Sequence, residues 1–258
     1  YSLEEGVEDG WLVPPREVAV QTKFLREGIT YDELSEEEQE EYEMTFLDEE
    51  TGEIPEHIDS GALNNWLFNE DTVDRVLQHL MEEGLKVEGG DRLGKTIIFA
   101  RNTDHARFIE ERFDAIFPDK AGKFARVIVS ADAGAQSLID DFREAGEDPA
   151  VAISVAMLDT GIDIPEVVNL VIFKPVYSRT KFDQMIGRGV RPCEDLFGPG
   201  QDKECFYVFD YCGNFDFFEQ NPEGRSQSRS LSLSARIFQQ RSEIVEHLMD
   251  VEDQEEEH

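Results

Sequence analysis

Apolar positions recur at helical spacing over residues 72–85, where Val73, Val76, Leu77, Leu80 and Met81 share one side before Gly84. That spacing predicts a helix ending at the glycine. Beyond it the period changes. Residues 96–100 (TIIFA), 125–130 (ARVIVS), 151–156 (VAISVA), 167–173 (VVNLVIF) and 205–210 (CFYVFD) are short β-branched or aromatic runs. Runs apolar on both sides predict strands buried on both faces. Helix-like stretches at 103–117, 136–143 and 180–186 separate them, and the spacing of Ile237, Ile244, Val245 and Leu248 predicts a last helix within 231–249. Strands alternating with helices imply βαβ units, hence an α/β fold with a mainly parallel sheet between helical layers. Ligands of such sheets are expected at the carboxyl ends of the strands.

Charge divides the chain further. Its 258 residues carry 24 Lys and Arg against 58 Asp and Glu, a net of −34. Residues 93–215 hold 14 basic and 20 acidic groups, whereas the flanks hold 10 and 38. Between Glu27 and Asp74 there is no Lys or Arg, and residues 31–56 are dominated by carboxylates. Such density favours a solvated, extended segment, and residues 252–257 read the same way. A surface this acidic excludes a protein that grips polyanions with its whole exterior, but leaves room for a local basic site. No apolar run is long enough for a membrane span and no leader opens the chain, so a cytoplasmic protein without membrane contact is expected. Cys193, Cys205 and Cys212 lack CxxC pairing and read as reduced thiols, with neither a disulfide framework nor a zinc site. The first residue, Tyr1, suggests a piece of a longer chain.

Residues 89–96, GGDRLGKT, satisfy the phosphate-loop pattern G-x-x-x-x-G-K-[ST]. A phosphate loop follows a strand and opens a helix, whose N-terminal amides and dipole hold the anion. Here Lys86, Val87 and Glu88 read as no strand, and the most strand-like residues of the chain follow. The sequence context therefore predicts a loop entering a buried strand. Asp210, at the end of an apolar strand, is the one acid placed to imitate the magnesium ligand of an ATPase.

Two other loops carry chemistry. Residues 157–165 (MLDTGIDIP) follow a strand; Gly161 permits close backbone approach, and Asp163 can accept a ribose hydroxyl. Residues 184–191 (QMIGRGVR) end a helix and set Arg188 and Arg191 three residues apart. Guanidinium forks match the oxygens of a transferring phosphoryl group.

Together, in this strand order, these segments resemble motifs V and VI of superfamily 2 helicases and translocases, and TIIFARN at 96–102 resembles motif IV. The resemblance covers residues 93–213, the second RecA-like domain of such motors. Residues 1–14 are similar to the connector leaving the first motor domain in the R subunit of type I restriction enzymes, and 210–215 (DYCGNF) to the segment after the last strand there. It implies an acidic connector and helix over 1–92, a second RecA-like domain over 93–215, and a helical region with an acidic tail over 216–258. It also implies that ATP lies between two RecA-like domains. Arg191 would be the arginine finger, with Arg188 its companion, Gln184 a nucleotide sensor, and Gly161 and Asp163 lining the cleft. Ser154, Thr160, Ser130, Arg101 and Asn102 would contact the backbone of double-stranded DNA. The phosphate loop and the Mg²⁺ ligands would come from the first motor domain, and target recognition from methyltransferase and specificity subunits. Ala156 stands where the family often has an acid. Isolated, the chain is expected to lack ATPase and nuclease activity and to bind DNA poorly. A superfamily 2 helicase outside restriction and a noncatalytic RecA-like module are the competing expectations.

Overall fold

The computed structural model describes residues 3–20, 28–30, 57–59, 66–129, 134–155 and 163–223. They fall into two compact units, one of residues 1–27 with 59–225, the other of 28–58 with 226–258. In the second, β2 (Gly28–Thr30) pairs with β3 (His57–Asp59), which ends at the boundary.

In the first unit, helix α1 (Leu3–Glu8) precedes β1 (Pro15–Glu17). Helix α2 (Glu70–Glu83) leads into a hairpin of β4 (Lys86–Val87) and β5 (Arg92–Leu93). Then come β6 (Lys95–Phe99), α3 (Thr103–Ile116), β7 (Ala125–Val127), α4 (Ala135–Arg143), β8 (Val151–Ser154), β9 (Val167–Ile172), α5 (Arg179–Ile186), β10 (Phe206–Asp210) and α6 (Asn214–Gln220). Six strands form one sheet in the order β1-β10-β9-β6-β8-β7, and every pairing is parallel.

Both faces of the sheet are covered, which is why its strands read as unbroken apolar runs. Alternate residues serve opposite layers. Ile98, Ile153, Val171 and Phe209 pack with Val76, Leu77 and Leu80 of α2 and Ile109 and Phe113 of α3. Ile97, Phe99, Leu170, Ile172 and Val208 pack with Ile139 and Phe142 of α4, Phe182, Met185 and Ile186 of α5, and Phe217 and Phe218 of α6. Emptying one such buried site, Ile98→Ala for instance, belongs to a class of change costing about 2–5 kcal/mol.

The expected α/β RecA-like architecture is present, with differences at the ends of elements. Helix α2 starts ahead of the apolar pattern because Asn69 Oδ1 caps it, accepting from Thr72 N at 3.0 Å. Strand β7 stops at Val127, although Ile128 N still donates to Ile153 O at 2.8 Å. Strand β1 was not legible: three residues beginning at a proline have no alternation to read, yet they pair with Phe206, Tyr207 and Val208. That strand, with α2 and the hairpin, lies in the same compact unit as 93–215, where the sequence reading draws a connector over 1–92. The acidic stretch 31–56 and the helix expected within 231–249 lie outside the described residues.

The phosphate-loop pattern is decided by geometry. Gly89 and Gly90 make the turn of the hairpin with positive φ (73° and 101°), and Lys95 opens a strand rather than a helix. The Lys95 ammonium donates to the carbonyls of Glu147 (2.9 Å) and Pro149 (3.0 Å) and sits 5.1 Å from the centre of the Phe142 ring. Burial, with the nearby charge of Arg92, pushes its pKa down to about 8. Asp210 belongs to the other end of the sheet, its carboxylate accepting from Cys212 N (3.2 Å), Asn214 Nδ2 (2.7 Å) and Phe215 N (2.9 Å). Lysine and acid are thus both consumed in structure, at opposite ends of parallel strands.

Candidate nucleotide-facing site

Helix α5 carries Gln184 and delivers the two arginines. Ser178 Oγ caps its start, accepting from Lys181 N at 3.4 Å. Phe182, Met185 and Ile186 anchor it to the sheet, while Arg179 and Asp183 pair on its outer side at 2.9 Å. The helix ends at Gly187, whose N–H reaches Asp183 O and Met185 O; Arg188 N and Gly189 N continue the turn to Met185 O and Ile186 O (both 3.1 Å). Gly189 is required by packing. A Cβ there would stand 2.3 Å from the buried ring of Phe206, the first residue of β10.

The turn ends in the central contact of the site. Arg191 Nε donates to Asp163 Oδ1 at 3.0 Å, with 52% and 63% of the two side chains exposed. An ion pair this exposed contributes about 0–1 kcal/mol, so an incoming anion can displace the carboxylate at little cost. Arg188 is held differently, its Nε donating to Gln184 O at 3.2 Å.

The sequence expectation placed ligand chemistry at the carboxyl ends of the strands, and for this pair the structure corrects it. Asp163 shortly precedes Val167, the first residue of β9, and Gly189 lies on the first residue of β10. The pair therefore sits at the amino ends. Lys203 braces the segment behind Asp163, its ammonium donating to Pro165 O (2.9 Å) and Val167 O (2.7 Å). Its burial lowers the pKa to about 8. Sequence reading missed Lys203, a lone lysine with no motif around it.

Of the residues expected on the DNA side, Arg101, Asn102 and Ser154 lie at carboxyl ends of strands. Arg101 and Asn102 follow β6, and Asn102 Oδ1 caps α3 by accepting from His105 N at 2.9 Å. Ser154 ends β8 and is fully buried (0% exposed). Gly161, Thr160, Ser130 and Ala156 lie outside the described residues. Strands of five or six residues separate the two ends by about 16–20 Å. Among the described residues no group of three or more His, Cys, Asp or Glu side chains is arranged to hold a metal ion, and no helix is long and apolar enough to cross a membrane.

Residues 75–193, which contain Asp163, Gln184, Arg188 and Arg191, match the helicase conserved C-terminal domain. The chain is 26% identical over 225 residues to the type I restriction enzyme EcoKI endonuclease subunit of Escherichia coli K12, covering 81% of this chain and 18% of that protein. It is 25% identical over 264 residues to the EcoAI endonuclease subunit of Escherichia coli, covering all of this chain and 30% of the relative. The chain thus spans less than a third of either. In fold it is similar to a fragment of an HsdR subunit of a type I restriction enzyme from Vibrio vulnificus YJ016, with a TM-score of 0.58 and 20% identity over 88% of this chain and 38% of that one. Residues 75–193 thus match the helicase conserved C-terminal domain, and the chain as a whole is similar in sequence to the endonuclease subunits of type I restriction enzymes.

Proposed function

We propose that this chain is the second motor domain of an ATP-driven translocase on double-stranded DNA, within the R subunit of a type I restriction enzyme. The observation that carries the reading is the Arg191–Asp163 pair, exposed at the amino ends of β9 and β10. A permanently charged fork, lightly held by a carboxylate and presented outward, is suited to complete an ATP site built on another domain.

In this reading the γ-phosphate of ATP, presented by the first motor domain, draws Arg191 away from Asp163. The guanidinium then neutralises charge that develops on the transferring phosphoryl group. Arg188 adds positive potential from the turn that follows α5, and Gln184 reports nucleotide state from within that helix. Asp163, released, accepts a ribose hydroxyl, and Gly161 is assigned to the lining of the same cleft. Mg²⁺, whose ligands are assigned to the first motor domain, would supply charge compensation to the phosphates when bound. This chain contributes cations and one acceptor.

DNA is held at the opposite end of the sheet, where Arg101 and Asn102 follow β6; these two, with Thr160 and Ser130, make contacts to the phosphate backbone that are independent of sequence. Methyltransferase and specificity subunits supply target recognition, and the complex works in the cytoplasm. Opening and closing of the cleft between the motor domains converts hydrolysis into movement along the track.

The test is division of labour. The 258-residue chain alone is expected to show no ATP hydrolysis above background, with or without DNA, whereas a polypeptide joining it to a phosphate-loop motor domain hydrolyses ATP in response to double-stranded DNA. Turnover by the isolated chain would contradict the reading, and so would a joined polypeptide indifferent to DNA.

A further inference from the structure

The turn bearing Arg188 and Arg191 is held by more than its own helix. The Val190 carbonyl, one residue before Arg191, accepts from Val13 N at 2.8 Å. Val13 stands two residues before β1, the strand that was not legible in the sequence. Pro14 O accepts from Phe206 N (3.2 Å), Pro15, Arg16 and Glu17 pair with Phe206, Tyr207 and Val208, and Val18 N donates to Val208 O (2.9 Å). Val13 and Val190 are both buried, in the same cluster as Phe206, Met185 and Ile186. Gly189 meanwhile rests on the Phe206 ring, where a Cβ has no room. The backbone at 189–190 is therefore gripped from two directions, by the first residue of β10 and by the segment entering β1.

We propose that Val13 is a positioning residue for the arginine turn, acting through its backbone N–H, so that strain arriving along the N-terminal segment shifts Arg191. This inference rests on the proposed role of Arg191. The grip has the right character for such a device. A single backbone hydrogen bond is enough to bias where a turn rests and weak enough to be overcome during a motor cycle. A displacement of about 1 Å in a group that must meet a transition state can cost roughly 10²-fold in rate. Arg191 is adjacent to the gripped carbonyl, so it moves when that carbonyl moves.

The test compares Val13→Pro, which deletes the donor, with Val13→Ala, which keeps it, in the complete motor polypeptide. Val13→Pro is expected to lower DNA-stimulated kcat by about 10-fold or more, with KM for ATP within roughly 2-fold of the parent. Val13→Ala is expected to recover most of that turnover, since it loses only side-chain packing. Added to Arg191→Ala, Val13→Pro should cause no further loss, because both act on one group. Full turnover in Val13→Pro, equal losses in Pro and Ala, or multiplying losses in the double variant would overturn the inference. Amide exchange on the unmodified chain gives an independent check that needs no variant to fold. The Val13 amide should be protected as well as the Val18 amide within the sheet; a freely exchanging Val13 amide overturns the tie. An undiminished Arg191→Ala would instead sink the arginine reading itself, which keeps the two failures apart.

Discussion

Arg191→Ala in the complete motor is expected to lower DNA-stimulated ATP turnover by about 10³-fold or more, the range in which an arginine finger contributes, while leaving ATP binding nearly unchanged. The split follows from position. Arg191 stands at the exposed end of a turn, its Nε 3.0 Å from Asp163 Oδ1, with both side chains more than half exposed. Its loss removes charge from the transition state without disturbing the core. Arg191→Lys should recover little, because an ammonium offers a point charge where a planar fork is required. Steady-state kinetics with a separate nucleotide-binding titration distinguish the outcomes. Undiminished turnover, or a fall in ATP affinity matching the fall in rate, would remove Arg191 from the transition state.

The second large effect concerns stability and pH. His105 opens the buried side of α3, 0% exposed, with Nδ1 accepting from Arg101 N at 3.2 Å and its ring 4.9 Å from that of Phe173. Burial, reinforced by the charge of Arg101, lowers its pKa from 6.5 to about 3. The folded chain thus keeps this imidazole neutral at pH values where the unfolded chain protonates it. Its contribution is fully present above pH 6.5 and is lost as pH falls toward 3. Within that window the difference in unfolding free energy between wild type and His105→Gln should change by about 1.4 kcal/mol per pH unit, wild type losing stability faster on acidification. Denaturant titrations of both chains at pH 4, 5 and 6 make the comparison, and parallel pH profiles would contradict it.

The parts of the fold legible in the sequence are those where burial on both faces leaves a continuous apolar run. Strands β6, β8, β9 and β10 and helices α2 to α5 all come within a few residues of their expected limits, because each owes its existence to its own composition. Strand β1 exists because β10 offers it an edge, and no local pattern announces that. Buried polar residues were equally silent about their partners. Asn169 interrupts the apolar run of β9, and only the fold shows its amide bridging Leu85 N (2.8 Å), Leu85 O (3.1 Å) and Thr96 Oγ1 (3.2 Å). The lysines Lys95 and Lys203, each satisfied by two backbone carbonyls, were invisible for the same reason: their acceptors are distant in sequence.

At the candidate site, residue types and spacing selected the arginines and Asp163, and the structure brings Arg191 and Asp163 together. Their placement escaped the general rule for parallel sheets. A chain leaving the carboxyl end of β8 must return to begin β9, so Asp163 arrives at the amino end; α5 makes the same return and leaves Arg191 beside it. Ser154 shows what the motif leaves unsaid: a serine at a strand end reads the same whether it is exposed or, as here, buried.

The account stands on Arg191 exchanging Asp163 for a phosphoryl group held by another domain. The most direct measurement is a crystal structure of the complete motor polypeptide bound to DNA, ADP, Mg²⁺ and aluminium fluoride, the metallofluoride standing in for the transferring phosphoryl group. The expected result is an Arg191 guanidinium within hydrogen-bonding distance of the fluoride and no longer paired with Asp163. An occupied nucleotide site with Arg191 still bound to Asp163 and turned away from the fluoride would contradict it.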